Sequence, residues 1–470
     1  MGRLRLSAHF EPLNHYSLMM KITHFNNSFI SVSSQGQRIV CDPWAGKANA
    51  SGWQSFPEFS CSALKENLAD VRWVFLSHLH DDHFHPETLT STGLLEREFI
   101  IKRFQSPVLR ERLKRLGVTR IHEVDPFTVH QFGPFELSIF PQMTSNSSAL
   151  VDDINYDLDT SIAIKAGGSV FFNQVDNPLS LKDLERIQAH IDEHLGSIDV
   201  ACLMSGAASE YPHLFLGIDQ HSEKRRIVER SLTDLGDWLS VLKPKYFFPA
   251  GGTYLIPGWM SVFNENIAQP DFAEISRHIA ESNKLVQSHL LEGGNFIEVN
   301  AGQKFAQTGV ALLPIQANRE MAIDIHRHDN YGYEAFEPPP WLSLLTLLDA
   351  ARDNWTKKVN EDGLTIHQAI RFDVYHQLRL KTGEPDVSQR LGSYQLNQPT
   401  ASDAGSLVVH IDQRALFGCL TRRLIWNGVL GALCIYARAP NRHYPTDFFS
   451  INFLALTNEQ LQQATVPAAG

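Results

Sequence analysis

A cluster of histidines directly after an apolar strand constrains this chain more than any other feature of its sequence. The run Val71–Leu76 is typical of a buried strand, and four histidines and two aspartates follow it within one short stretch. His78 and His80 lie two apart in an extended segment, so both rings can project to one side. Asp82 and His83 follow as the backbone turns. The pattern predicts two pairs of metal ligands at a single strand end, one pair for each of two adjacent cations.

The chemistry of these donors narrows the choice of metal without deciding it. Imidazole and carboxylate groups suit zinc, iron or manganese, and the motif contains no thiolate. A solvated His-x-His pair is the common alternative. The density of donors after a buried strand favours the metal site.

Strand and helix patterns alternate through the first two thirds of the chain. The predicted elements are a hairpin over 22–41, a helix that starts at Pro86, paired strands over 161–172, a helix over 181–195, a strand over 198–204, a helix over 222–242 and a strand over 246–248. Ser180 and Asp183 resemble a capping box for the second helix. This alternation predicts a layered α/β domain.

The composition changes near three consecutive prolines, Pro338–Pro340, which favour an extended connector. A length of 470 residues also suggests two or more domains. We therefore expect an N-terminal extension over 1–19, a metal-binding domain over 20–330, a Pro-rich linker over 331–341 and a C-terminal α+β domain over 342–470. In the last domain the patterns predict a helix over 341–351 and strands over 406–411 and 430–436.

Charge and cysteine usage exclude several classes of function. A net charge of −11 disfavours a sequence-independent nucleic-acid binder, and the basic run over 102–120 is typical of the solvated face of a helix. Five cysteines without close pairing fit a reducing compartment. Residues 1–20 lack the apolar core of a secretory signal, and the apolar stretch 424–437 is shorter than a membrane span. We expect a cytoplasmic protein that binds neither nucleic acid nor membrane.

His78, His80, Asp82 and His83 match the His-x-His-x-Asp-His signature of the metallo-β-lactamase superfamily position for position. The chain resembles that superfamily over residues 20–300. The resemblance implies a four-layered αβ/βα sandwich with a metal site at the sheet edge. The predicted fold class is therefore α/β: this sandwich with a smaller C-terminal α+β domain.

The resemblance also implies further ligands, of which only one stands at its expected place. Asp176 lies just past a predicted strand end, where the superfamily has a bridging aspartate; a turn role before Pro178 is the alternative. Two later histidines are absent, because neither the segment 141–143 nor the segment 249–253 contains one. This departure puts a standard two-zinc hydrolytic site in doubt.

Two other groups of residues offer donors. Asp219 and His221 could supply a missing ligand, although Asp219 also fits a cap for the following helix. A second His-x-His, at 326–328, is more typical of a solvated loop.

One branch with a similar departure is the CMP-N-acetylneuraminate hydroxylase family. The segments that resemble it are 157–160, 205–206, 210–212, 223–224, 243–252 and 437–444. That family also has a Rieske iron–sulfur region, which needs Cys-x-His and Cys-x-x-His pairs. None of the five cysteines forms such a pair, so this chain does not hold that cluster by itself.

Together these features predict a metalloenzyme with one or two divalent ions, iron or zinc. The predicted ligands are His78, His80, Asp82, His83 and Asp176, and Asp82 and Asp176 are the predicted catalytic residues because they can orient a metal-bound water and take its proton. The resemblance implies a hydroxylase or monooxygenase that acts on a small polar substrate, such as a nucleotide sugar, with electrons from a separate protein or from the substrate. A hydrolase that uses metal-bound hydroxide is one alternative. A non-catalytic binding protein with a decayed metal site is the other.

Overall fold

Strands and helices alternate along the chain in the computed structural model, which describes residues 19–143, 159–206, 209–251, 253–283, 286–289, 291, 293–300, 306–398, 406–438 and 444–465. Within these ranges the strands are β1 Met20–Asn26, β2 Phe29–Ser34, β3 Gln37–Cys41, β4 Lys47–Ala48, β5 Trp53–Ser55, β6 Val71–Leu76, β7 Glu98–Lys102, β8 Ile121–Val124, β9 His130–Phe132, β10 Phe135–Pro141, β11 Thr160–Ala166, β12 Ser169–Asn173, β13 Val200–Met204, β14 Phe215–Leu216, β15 Tyr246–Ala250, β16 Tyr254–Leu255, β17 Gln287–Ser288, β18 Asn295–Val299, β19 Gln307–Val310, β20 Ala369–Tyr375, β21 Leu380–Lys381, β22 Glu384–Pro385, β23 Arg390–Gln395, β24 Ser406–Asp412 and β25 Ile435–Arg438. The α-helices are α1 Cys61–Asn67, α2 Pro86–Ser91, α3 Val108–Arg115, α4 Leu181–His194, α5 Gln220–Leu242, α6 Phe272–Ser282, α7 Arg319–His326, α8 Trp341–Glu361, α9 Gln413–Leu420, α10 Trp426–Ala432, α11 Tyr444–Ser450 and α12 Asn458–Thr465.

Two large sheets form the centre of the first domain. One has the strand order β19-β18-β1-β2-β3-β6-β7-β8 and the other β17-β15-β13-β12-β11-β10-β9. Apolar side chains such as Ile39 and Phe75 from the first sheet pack against Ile162 and Phe171 from the second, and all four are fully buried. The two sheets therefore lie face to face around one core.

Helices cover the outer face of each sheet. Leu64, Leu89 and Leu109 of α1, α2 and α3 belong to the core on one side, and Leu184 and Leu235 of α4 and α5 belong to the core on the other side. The resulting order of helices, sheet, sheet and helices confirms the predicted αβ/βα sandwich.

A smaller α+β unit follows, built on a third sheet with the order β14-β25-β24-β20-β23. Its edge strand β14 comes from the first two thirds of the chain, and Phe215 in β14 pairs with Tyr436 in β25. Of the predicted linker, Tyr331 and Tyr333 are buried in the core of this unit. The C-terminal unit thus takes one strand and part of its core from the first two thirds of the chain.

Most predicted elements are confirmed, including β6 over its full length and the capping box of Ser180 and Asp183 before α4. The strand predicted over 430–436 is wrong in its first half, because helix α10 continues to Ala432 and β25 begins at Ile435. A short apolar run does not by itself distinguish a buried helix from a strand. No helix among the described residues has the length and apolar character needed to cross a membrane.

Candidate metal centre

The predicted histidine cluster lies where β6 leaves its sheet. The chain turns tightly there, with the amides of His83 and Phe84 both donating to the carbonyl of His80. His78 and His83 are almost fully buried. His85 has a different role: its Nδ1 accepts from the amide of Thr88 at 3.2 Å and caps α2.

Two groups of donor atoms meet at this strand end. In the first, Nε2 of His78 lies 2.9 Å from Nδ1 of His80 and 3.6 Å from Oδ1 of Asp159. We call these three residues the His78 triad. Asp159 is buried, and the sequence analysis did not select it as a ligand.

The second group contains the other three predicted ligands. Nε2 of His83 lies 3.0 Å from Oδ2 of Asp176 and 3.5 Å from Oδ2 of Asp82. We call these residues the His83 triad. The ring centroids of His78 and His83 are 4.1 Å apart, so the triads adjoin. Donor atoms of His78, His83 and Asp176 all lie within 4.8 Å of one another, an arrangement that could hold a metal ion.

A buried hydrogen-bond network sets the orientation of both central rings. Oδ1 of Asp42 accepts from the Ser77 amide at 2.8 Å, and Oδ2 accepts from Ser77 Oγ at 2.7 Å. Because this hydroxyl donates to Asp42, it accepts from Nδ1 of His78 at 2.9 Å. Nδ1 of His83 donates to Asp42 at 3.1 Å. When each ring carries a single proton, this network places that proton on Nδ1 and directs the Nε2 lone pair at the centre, as in metal-binding histidines.

Strand pairing brings Asp159 to the centre. Pro141 at the end of β10 pairs with Thr160, and the amide of Gln142 donates to the carbonyl of Asp159 at 2.9 Å. Thr160 Oγ1 donates to the carbonyl of Ser77, which ties this strand to the end of β6. The segment 141–143 lacks the expected histidine, and a carboxylate stands directly beside it on the neighbouring strand. The remainder of the segment 157–160 lies outside the described residues.

Residues 21–151 match a family model described as the beta-lactamase superfamily domain. Over this region the chain is similar to the metallo-β-lactamase superfamily, and the two face-to-face sheets with helices outside agree with that fold. The resemblance predicted from the signature motif is thus confirmed.

The curated relatives of the chain include iron–sulfur proteins and hydroxylases. A Mycobacterium tuberculosis protein, provisionally named a Rieske 2Fe-2S iron-sulfur protein, is 26% identical over 37% of this chain and 34% of its own length. The cytidine monophosphate-N-acetylneuraminic acid hydroxylase of Xenopus laevis is 26% identical over 33% of this chain and 26% of its own length. The matched region thus spans about a third or less of these relatives.

Solved structures with a similar fold include both hydroxylases and hydrolases. CmlA, a diiron beta-hydroxylase from Streptomyces venezuelae, superposes with a TM-score of 0.40 at 17% identity over 60% of this chain and 54% of its own. Igni18, a metallo hydrolase from Ignicoccus hospitalis, superposes with a TM-score of 0.40 at 17% identity over 60% and 99%.

The charges around the candidate metal centre are unevenly distributed. Burial lowers the pKa of His78, and the neighbouring rings of His83 and His80 lower it further, to well below its usual value. Burial also opposes the charged form of His83, but the carboxylates of Asp176 and Asp82 outweigh it and hold the pKa of His83 well above the usual value. These carboxylates favour a positive charge at the centre, whether an imidazolium or a divalent cation.

The triads open onto a cavity of about 260 Å³, which we call the inner cavity. Its lining includes Asp159, Asp176, Trp53 and Glu210. Glu210 is 6% exposed, and burial raises the pKa of its carboxyl to about 7. A carboxyl with this pKa can give or take a proton near neutral pH.

A second cavity of about 370 Å³, the outer cavity, lies between the first domain and the C-terminal unit. His80 and Asn427 line both cavities, so the two cavities adjoin at these residues. Three basic side chains line this outer cavity, those of Arg112, Lys358 and Arg422, together with the carboxylate of Asp81.

The remaining candidate donors take structural roles. Asp219 caps α5 by accepting from the amide of Ser222 at 3.1 Å, which confirms the cap interpretation. His326 ends α7 and contacts Glu58 at 3.0 Å and Asp329 at 2.6 Å. The second His-x-His is therefore partly in a helix and in an ion-pair network rather than in a solvated loop.

Sequence reasoning missed several residues that contact the motif. The side-chain amide of Asn27 donates to Oδ2 of Asp82 at 3.2 Å, and the backbone amide of Asn27 donates to Oγ1 of Thr253 at 2.6 Å. Asp42 contacts His83, and Asn427 contacts His80. Only Asp42 carried a usable signal, since it ends the strand that pairs with β6. The others come from segments remote in sequence.

Proposed function

We propose that this chain is an iron-dependent hydroxylase. The observation that carries the proposal is the composition of the His78 triad, two imidazoles and one carboxylate. A 2-His-1-carboxylate set with open positions is the arrangement typical of non-haem iron(II) oxygenases. A histidine in place of Asp159 would instead give three imidazoles, a set that suits catalytic zinc.

The donor chemistry fits two cations. In our proposal the His78 triad holds one ion and the His83 triad holds the other, so that all five ligands predicted from the sequence take part together with Asp159. Asp82 and Asp159 are each 5% exposed, and buried carboxylates at this density require positive charge nearby. When bound, iron would supply the one-electron chemistry needed to use dioxygen.

The protein side chains have three further tasks. Asp42 and Ser77 keep the Nε2 lone pairs of His78 and His83 directed at the centre. Glu210 gives or takes protons within the inner cavity. Walls such as Trp53 exclude bulk water from the reacting carbon.

The reaction must balance. One C–H bond and one molecule of dioxygen become one C–OH and one water, which consumes two electrons and two protons. The cysteines of this chain form no Rieske pair, so we propose that a separate electron-transfer protein or the substrate supplies the electrons. The similarity to the hydroxylases of sialic-acid nucleotides supports this reaction class.

The outer cavity favours a small polar substrate that carries an anionic group. The lining of the outer cavity contains three basic side chains, Arg112, Lys358 and Arg422, and one carboxylate, Asp81. This local excess of positive charge stands out in a chain whose net charge is −11. A phosphate or carboxylate held there would leave the rest of the molecule to reach the inner cavity. A nucleotide sugar has this form.

The two alternatives make different demands on the centre. A decayed binding protein would have lost donors, whereas the described residues contain two complete triads. A hydrolase could use the same residues with zinc. The identity of the metal therefore separates hydrolysis from oxidation.

The test is metal analysis of protein purified without oxygen, combined with its electronic and Mössbauer spectra. We expect stoichiometric iron and a spectrum that changes on exposure to oxygen. Asp192→Ala, an exposed substitution on α4, serves as the control and retains both. Stoichiometric zinc with no iron, and zinc-dependent turnover, would sink the oxidative proposal and favour hydrolysis.

Substitution of Asp42 by asparagine is expected to weaken metal binding about 10- to 100-fold. Asparagine has one acceptor oxygen for the three donors that Asp42 now serves, the Ser77 amide, Ser77 Oγ and His83 Nδ1. The His83 ring then loses its fixed tautomer. Competition with a chelator measures the affinity, and exposed Asp324→Asn is the control. Equal affinities for wild type and Asp42→Asn would contradict the assigned role.

A further inference from the structure

A side chain from the C-terminal unit contacts the signature motif. Asn427 lies in the first turn of α10, and its Nδ2 is 2.9 Å from Nε2 of His80, 347 residues earlier in the chain. The other nitrogen of the same ring, Nδ1, faces Nε2 of His78 at 2.9 Å. The His80 ring is therefore held between the triad on one side and the C-terminal unit on the other.

Small residues allow α10 to come this close. A Cβ added to Gly428 would lie 2.7 Å from Oδ1 of Asn49, and one added to Gly52 would lie 2.5 Å from Cβ of Ala432. Both distances are shorter than real Cβ contacts. Since the Cβ of Ala432 moves only with its helix, a side chain at position 52 would displace α10, whereas one at position 428 would first displace the side chain of Asn49. The close approach that places Asn427 on His80 is thus built into the packing of α10 on the loop around residue 50.

The tautomer of His80 gives this contact a chemical role. If Nδ1 binds the ion of the His78 triad, the ring proton must sit on Nε2 and needs an acceptor. The amide oxygen and nitrogen of Asn427 exchange places by a half-turn of its terminal group, and either assignment fits the same outline. With the oxygen toward His80, Asn427 accepts this proton.

We propose that Asn427 is a positioning residue of the metal centre and that α10 couples metal binding to the C-terminal unit. This inference rests on the proposed metal site. Metal binding fixes His80, His80 fixes Asn427, and Asn427 fixes the first turn of α10. By linkage, a loosened α10 weakens the metal site by the same factor as metal loss loosens α10.

The experiment compares wild type with Asn427→Leu, which is similar in size and has no acceptor, and with Asn427→Asp, which keeps one. Iron(II) and, separately, zinc(II) are titrated under nitrogen against a competing chelator. Hydrogen exchange of the α10 amides is measured with and without metal. Asn360→Leu, an exposed change on α8 of the same unit, is the control.

We expect Asn427→Leu to weaken metal affinity about 10-fold or more and to lose the metal-dependent protection of α10. Asn427→Asp should stay within about threefold of wild type, since carboxylates also accept hydrogen bonds from metal-ligating imidazoles. Asn427→Ala, which adds no apolar bulk, is measured in parallel and should behave as the leucine variant does. Wild-type affinity and wild-type protection in the leucine and alanine variants would overturn the inference. A wild type that binds neither metal would overturn the proposed function instead, which keeps the two failures distinguishable.

Discussion

Asp159→Asn is expected to remove the ion of the His78 triad and to lower oxidative turnover about a hundredfold or more. The reason is that a bound metal lowers the reaction barrier by several kcal/mol. Asparagine keeps the size of the side chain but removes its charge. Oδ1 of Asp159 lies 3.6 Å from Nε2 of His78, so the change acts directly at this triad. Iron content per chain, measured beside turnover, should fall while the His83 triad keeps its own ion.

Two further variants show whether the carboxylate itself is what matters. Asp159→Glu retains the charge and should recover part of the iron. Asp159→His turns the triad into three imidazoles and should shift the preference from iron toward zinc, measured by competition between the two ions. The exposed Asp192→Ala control should leave both ions in place. Full iron and full turnover in Asp159→Asn would refute the 2-His-1-carboxylate assignment.

The local part of this centre could be predicted because it is local in sequence. An apolar run followed by His78, His80, Asp82 and His83 contains both the strand that holds the residues and the residues themselves. The same reasoning located Asp176 at a strand end. Periodicity and capping signals likewise recovered the strands and helices of the sandwich, as at Ser180 before α4.

The rest of the centre depends on pairings that no local pattern encodes. Asp159 reaches His78 because Thr160 pairs with Pro141 and its hydroxyl donates to the carbonyl of Ser77. The segment 141–143 contains no imidazole, and the donor that the structure places beside it is Asp159, next to Thr160. Asn427 depends on the packing of a helix from another unit against a loop, and two glycines make that approach possible.

The same limit applies to boundaries between elements. The apolar neighbours of Leu430 predict a strand, but Val429 and Leu430 are buried residues of α10. That helix borders the inner cavity through Gly428 and Gly431. Its identity as a helix thus bears directly on the site, because the first turn of this helix places Asn427 on His80 and Gly428 beside Asn49.

Glu210→Gln is expected to remove a pH-dependent loss of stability of up to about 3 kcal/mol, which corresponds to roughly a few hundredfold in the folding equilibrium. Burial raises the pKa of Glu210 from 4.5 to about 7. Below pH 4.5 the carboxyl is protonated in both the folded and the unfolded chain, so its raised pKa does not lower the free energy of unfolding. Between pH 4.5 and 7 the folded chain holds a proton that the unfolded chain has released, so the wild type loses stability as the pH rises. Above pH 7 the loss is complete.

The measurement is denaturant unfolding of metal-free protein from pH 4.5 to 8.5. The glutamine at position 210 does not ionise, so the free energy of unfolding of this variant should rise relative to that of the wild type as the pH increases through this window. The difference should level off above pH 7. Glu229→Gln, at an exposed position of α5, should follow the wild type throughout. Parallel curves for wild type and Glu210→Gln would show that the carboxyl is solvated in the folded chain.

Bound cations should narrow the difference in stability between the wild type and Glu210→Gln, because a positive charge in the inner cavity favours the ionised carboxylate. Glu210 would then be the group through which metal occupancy controls proton transfer in that cavity.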